Sequence, residues 1–482
     1  MKPGARNPLF LDPRIDRREM LRRASNGFGT LALASLLGGP GALLGAPAPA
    51  TRPRPAMFRP RARNVIFLFM EGAVSQVDSF DHKPLLARHH GEDPRKAIGR
   101  LEKTQFENVG TVMKSPWEFG RHGSSGLWVS GLFPHVARHA DDLCVIRSMT
   151  SAFPEHTSAN YFLHSGTGLQ GRPSLGAWVT YGLGSPNDDL PGYVVLNGGQ
   201  IPSGGLDNFG SGFLPANYQG SLLNALGTPL ANVEPGDDNP ALQEAKRRLV
   251  RRLNARGLEA SGGDGALESA IANHELAARM QTTVPELLEI RGESEATRRL
   301  YGLDAPFEHT RTYGRQCLLA RRMVERGVRF VELTVPMVDG YSRWDAHGGL
   351  VKNHGQNALA VDQPIAGLLT DLKSRGLLDE TLVLWAGEFG RTPFAQGSDG
   401  RDHNEYAFTV WMAGGGVKGG MAYGATDDWG YKAVENRLEM HDLHATVLHL
   451  MGIDHERLTY RFGGRDIRLT DVRGEVVKEI LA

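Results

Sequence analysis

Asn64-Val65-Ile66-Phe67-Leu68-Phe69-Met70, followed at once by Glu71-Gly72, decides the architecture. An unbroken apolar run of strand length, closed by a carboxylate and a glycine, predicts a strand buried on both faces, as in a parallel sheet. Runs of the same kind recur at Leu143–Met149, 192–196, 328–335, Thr381–Ala386 and Phe408–Ala413. Between them, 358–375 and 441–451 place apolar residues at helical spacing, the second stopped by Gly452. Strands alternating with helices predict an α/β sandwich around a mainly parallel sheet. Residues 236–326 read differently. They are rich in Ala, Leu, Glu and Arg with one glycine-rich break at 261–265, which predicts a helical insertion or cap within a domain spanning 64–470. Residues 471–482 follow as a C-terminal tail.

Composition narrows the function classes. The 482 residues are 40% apolar and 22% charged, which excludes wholesale disorder and a coiled coil. Formal net charge is zero, so nothing marks a nucleic-acid binder. The 60 glycines and 27 prolines, without a collagen period, imply many turns and functional loops. Cys144 and Cys317 are too few for a disulfide scaffold; they form one bridge or remain buried thiols.

The N-terminus reads as an address. Asp16-Arg17-Arg18-Glu19-Met20-Leu21 precedes a second arginine pair, then a weakly apolar stretch broken by Gly, Ser and Pro, then Ala46-Pro47-Ala48-Pro49-Ala50. Basic, apolar and small segments in that order predict a secretory signal over 1–50, and the paired arginines resemble a twin-arginine export signal. Its departure is Asp16, where such signals usually carry Ser or Thr. Removal of 1–50 leaves 47 basic and 51 acidic side chains, a net charge of −4, with 51–63 as a basic, proline-containing lead-in. No later stretch is long and apolar enough to span a bilayer, so no stable membrane insertion is expected. The expected location is the periplasm or the cell exterior.

In open α/β sheets the ligand-binding residues follow the carboxyl ends of strands. After the first run comes Glu71, then Asp78 and Asp81. After the second comes Pro154-Glu155-His156-Thr157-Ser158, which reads as a helix start, where free N–H groups favour an anion. Thr157 or Ser158 there is either a metal-activated nucleophile or simply an N-cap. After the 328 run come 339–341 and Trp344-Asp345-Ala346-His347, and after the 381 run come Glu388 and Arg391, with Asp402-His403-Asn404 beyond. Four loops each delivering Asp, Glu or His after a strand point to a shared cation. Arg391 is placed to pair with an anionic substrate or with Glu388.

The ordered blocks EGAVSQVDSFDHKP, GRHGSSGLWVSGLFPHVARHADDLCVIRSM, HTSANYFLHSGTG, WDAHGG, GEFGRTP and DHN resemble the bacterial domain of unknown function 1501 family, over roughly 64–470. That family is placed in the alkaline phosphatase-like, sulfatase-like superfamily. The resemblance implies an alkaline phosphatase-like three-layer sandwich and a metal-dependent hydrolase or transferase of phosphate or sulfate esters. It implies metal ligands at Glu71, Asp345, His347, Glu388 and His403, and a nucleophile near His156, with Thr157 beside it. Two departures stand out: Glu71 and Glu388 occupy positions where Asp is common, and no Cys lies near 156, which argues against a formylglycine sulfatase. Carboxylate and imidazole ligands without thiolate suit Zn²⁺ or Mn²⁺, with Ca²⁺ as a further candidate. The expectation is an exported hydrolase in which Thr157 or a water attacks while Arg391 and the helix start hold an anionic ester. The twin-arginine translocase is its expected transient partner. The alternative is a non-catalytic exported binding protein for sulfated polysaccharide or a cell-surface partner.

Overall fold

The computed structural model describes residues 53–106, 108–224, 239–338 and 343–482. The segment 1–50, expected to direct export, and the acidic position at 339–341 lie outside them. Eleven strands position the site: β1 (Asn64–Phe69), β2 (Val109–Val112), β3 (Leu143–Met149), β4 (Tyr193–Asn197), β5 (Ser221–Asn224), β6 (Phe330–Thr334), β7 (Thr381–Ala386), β8 (Gly390–Gln396), β9 (Gly400–Asn404), β10 (Phe408–Ala413) and β11 (Met421–Tyr423). Eight of them form one sheet in the order β11-β3-β10-β7-β1-β6-β4-β5. All its pairings are parallel except those of β10, which runs antiparallel to β3 and β7. The expected α/β class with a mainly parallel sheet is therefore what the chain adopts.

The β1 run sits at the centre of this sheet because both of its faces are covered. Ile66 and Leu68 enter one core, and Val65, Phe67 and Phe69 enter the other. On the first face pack α5 (Glu308–Glu325) and α6 (Leu350–Ser374); on the second pack α1 (His156–Ser165), α2 (Leu175–Leu183) and α7 (Met440–Leu450). The period-two split of one continuous apolar strand thus generates three layers. Helices α3 (Pro240–Ala260) and α4 (Gly265–Leu288) account for the helical character of 236–326, but α5 belongs to the sandwich itself: Tyr313, Cys317, Leu318 and Met323 are fully buried in the first core. Its many charged residues disguise a helix with a wide apolar face. Cys144 lies in one core and Cys317 in the other, both as free thiols. No described helix is long and apolar enough to cross a membrane.

A second, three-stranded sheet orders β9-β8-β2. The hairpin β8–β9 carries Arg391 and His403 directly opposite each other. The Gly397-Ser398-Asp399-Gly400 turn signals this hairpin in the sequence, yet the flanking Pro393 and charged residues hide its strands.

A candidate metal centre

The site forms where β1, β3, β6 and β7 end and the β8–β9 hairpin folds over them. His156 Nε2, His347 Nε2 and His403 Nε2 lie 3.4, 2.9 and 3.4 Å from a single oxygen, Oδ1 of Asp345. One ligand atom from each of the four residues falls within 4.8 Å of the other three. His403 is buried and the other three are partly exposed, so the cluster is open on one side.

Each imidazole is oriented from behind. His156 Nδ1 donates to Glu388 Oε1 at 2.6 Å, His403 Nδ1 donates to the carbonyl of Pro154 at 2.6 Å, and His347 Nδ1 contacts Gln396 Oε1. A carbonyl and a carboxylate only accept, so the N–H of His156 and of His403 is fixed on Nδ1. In the neutral rings, Nε2 then presents a bare lone pair toward a carboxylate oxygen that is also an acceptor. Acceptors do not attract one another; a cation between them is what this geometry fits. His156 Nε2 is accordingly buried without a hydrogen-bond partner.

The electrostatics agree. Burial pushes His403 down to about 3, keeping it a neutral ligand. Burial also opposes charge on His156, but the neighbouring Asp345 and Glu388 carboxylates outweigh that and raise it to about 9. Burial disfavours the Asp345 carboxylate, and the three imidazoles with Arg391 more than compensate, holding it far below the usual range. Phe389 and Phe106 wall the cluster. Phe389 lies 4.5 Å from the His403 ring and Phe106 5.0 Å from that of His347, centroid to centroid.

Of the residues singled out in the sequence, Asp345, His347 and His403 meet in the cluster, and His156 joins them as a nitrogen donor. Glu388 stands one shell behind. Its Oε1 accepts from His156 and from the Gly72 N–H at 2.9 Å, and its Oε2 is buried without a partner. Glu71 is not one of the four: it is ion-paired with Arg343 and accepts from the Ser203 N–H at 2.6 Å. That pairing joins residues far apart in sequence and has no local signal. Asp78 is likewise engaged, by Arg401 at 2.7 Å.

Two expected roles meet different surroundings. Arg391 is turned inward. It is fully buried, and its donors reach the carbonyls of Gly72, Ala73 and Arg401 and Oδ1 of Asp345, the last at 2.8 Å. It pairs with Asp345 rather than Glu388, and it braces the turn after β1, where Gly72 and the non-glycine Ala73 both have positive φ, 96° and 67°. The start of α1 is not an open anion cradle either, because the N–H groups of Thr157 and Ser158 are capped by the Glu155 carboxylate. Thr157 is exposed beside His156. The helix ends at Gly166, whose φ of 70° suits a residue without a Cβ. Gln396 and the Pro154 carbonyl carry no signal of this role in the sequence: Pro154 lies two residues before His156, and Gln396 between the GEFGRTP and DHN blocks.

A family model described as "Protein of unknown function (DUF1501)" matches residues 62–481. No curated protein matches the chain in sequence. Solved structures it is similar to include a protein in the alkaline phosphatase superfamily from Vibrio parahaemolyticus, at 10% identity over 92% of this chain and 76% of that one, with a TM-score of 0.34. They also include the PsFucS1 sulfatase from Pseudoalteromonas, at 12% identity over 83% and 69%, TM-score 0.36. A third is a phosphonate monoester hydrolase from Silicibacter pomeroyi, at 12% identity over 81% and 73%, TM-score 0.36.

Proposed function

We propose, for a chain that belongs to the DUF1501 family, a divalent-metal-dependent hydrolase acting on phosphate or sulfate esters. The observation that carries this reading is the convergence of three imidazole Nε2 atoms on one carboxylate oxygen, with the far nitrogens of His156 and His403 locked as donors. His156, Asp345, His347 and His403 would hold the ion. A donor set rich in nitrogen favours Zn²⁺ or Mn²⁺ over Ca²⁺, which prefers oxygen. Such an ion supplies Lewis acidity to an ester oxygen and to the attacking group.

The chain's own residues supply orientation. Arg391 pins Asp345, Glu388 and the Pro154 carbonyl fix two rings, and Phe106 and Phe389 limit water on the walls. Thr157 is the hydroxyl next to His156, and it or a water serves as nucleophile. The N-terminal segment supports export: the folded, metal-loaded chain is carried by the twin-arginine translocase to the periplasm or exterior. Replacing Arg17 and Arg18 with Lys should hold the chain in the cytoplasm in a fractionation assay.

The test is elemental analysis of the purified protein together with turnover of p-nitrophenyl phosphate and p-nitrophenyl sulfate. Stoichiometric metal and chelator-sensitive turnover are expected, both lost in Asp345→Asn. Metal without turnover of either ester selects the binding-protein alternative, and a metal-free, inactive protein rejects the site.

A further inference from the structure

Helix α3 turns three of its four leucines outward. Gln243, Glu244, Arg247, Val250, Asn254 and Leu258 are half-buried on the inward side, where Arg247 pairs with Glu244 at 3.3 Å. Leu242, Leu249 and Leu253 are 44%, 50% and 56% exposed. Their spacing of seven and four places them on one stripe of the outer face. Exposed basic residues border that stripe: Arg248, Arg252 and Arg256 on one flank and Lys246 on the other. Across Pro240–Ala260 there are six basic and two acidic side chains.

We propose that α3 is an interfacial helix that docks the protein onto an anionic lipid surface, with Leu242, Leu249 and Leu253 entering the acyl boundary and the flanking arginines meeting lipid phosphates. Charge selects this occupant. A second copy would bring two strongly positive faces together and is repelled. A soluble polyanion would satisfy the arginines but leave the leucines in water. An anionic bilayer offers an apolar phase directly beneath negative charge and so meets both the leucines and the arginines. The helix is too polar to span, consistent with an in-plane position. This inference is independent of the metal cluster.

The experiment is co-sedimentation of the full chain with vesicles of phosphatidylcholine alone or with phosphatidylglycerol added. Wild type is expected to partition onto the anionic vesicles at least about tenfold more than onto the neutral ones, with the excess abolished by high salt. Leu249→Ser/Leu253→Ser and, separately, Arg248→Gln/Arg252→Gln should each lose most of that excess while keeping the wild-type circular dichroism and melting temperature. Overturning outcomes are absence of the anionic preference in wild type, binding undiminished in the leucine variant, or loss in the arginine variant alone. A mass measured by light scattering that doubles in wild type and halves in the leucine variant also overturns the proposal, in favour of self-association.

Discussion

Glu388 shows how much of a candidate metal centre lies outside its four donor residues. Its carboxylate fixes the His156 tautomer and ring orientation, and it ties that ring to the turn after β1 through the Gly72 N–H. Glu388→Gln keeps the shape and removes the charge that sustains the Nδ1 donor. Metal affinity is expected to fall by about 10–100-fold, read by competition with a chromogenic chelator, while the melting temperature of the metal-free protein changes little. At this scale the clustering was legible where its members are close neighbours, as in Asp345-x-His347, or where a short motif follows a hairpin turn, as in Asp402-His403. It was not legible for the contact between His156 and Glu388, 232 positions apart, nor for Glu71, because the arginine that pairs with it is supplied by the fold. A carboxylate after a strand announces a polar role; only the tertiary neighbours choose between metal and cation partner.

Helix α6 holds a second histidine whose protonation state can be derived from its contacts. His354 is buried; its Nε2 accepts from the Ser75 N–H at 3.1 Å and its Nδ1 donates to Asn353 Oδ1 at 3.0 Å, an arrangement that only the neutral ring satisfies. Burial pushes it down to about 3. The unfolded chain therefore binds one more proton than the folded chain between pH 3 and an ordinary histidine value of about 6.5, so stability is complete above that value and falls on acidification. The limiting loss is on the order of 5 kcal/mol. His354→Gln should flatten the decline of urea-unfolding stability from pH 6.5 to 4 relative to wild type, although it lowers stability at neutral pH. The β8–β9 hairpin is a second element with a sharp test. A Cβ on Gly400 would collide with the backbone carbonyl of His347. Gly400→Ala is therefore expected to cost about 1–3 kcal/mol and to displace His347, so metal retention falls together with thermal stability. Elements with unbroken apolar runs, such as β1 and β7, were legible in the sequence to within one residue. The hairpin was not, because its strands are held by tertiary cover over a proline and several charges, not by their own apolar content.

The molecule as a whole is closed by ion pairs between segments that enter the chain far apart. Arg401 and Asp78 are both fully buried, joined at 2.7 and 3.1 Å, and Arg401 also donates to the carbonyls of Thr392 and Met113. One guanidinium thus ties the loop after the central strand, the segment after β2 and the hairpin that carries His403. Arg391 ties the turn at Gly72 and Ala73 to Asp345, so the loops that carry the cluster are braced by two buried arginines. The three layers were readable from the order of strands and helices, but this brace was not, since Asp78 and Arg401 carry no mark distinguishing them from surface charges. A buried pair owes its favourable balance to both partners being present: removing one leaves the other charge without water and without a counterion. Arg401→Met is therefore expected to cost about 3–5 kcal/mol in urea unfolding, far more than an exposed arginine such as Arg461. Arg401→Met combined with Asp78→Leu should recover a large part of that loss, because no orphaned charge remains. Equal destabilisation by the single and double variants would mean that Arg401 acts mainly through the two carbonyls, and the brace would then be a hydrogen-bonded one whose carboxylate is incidental.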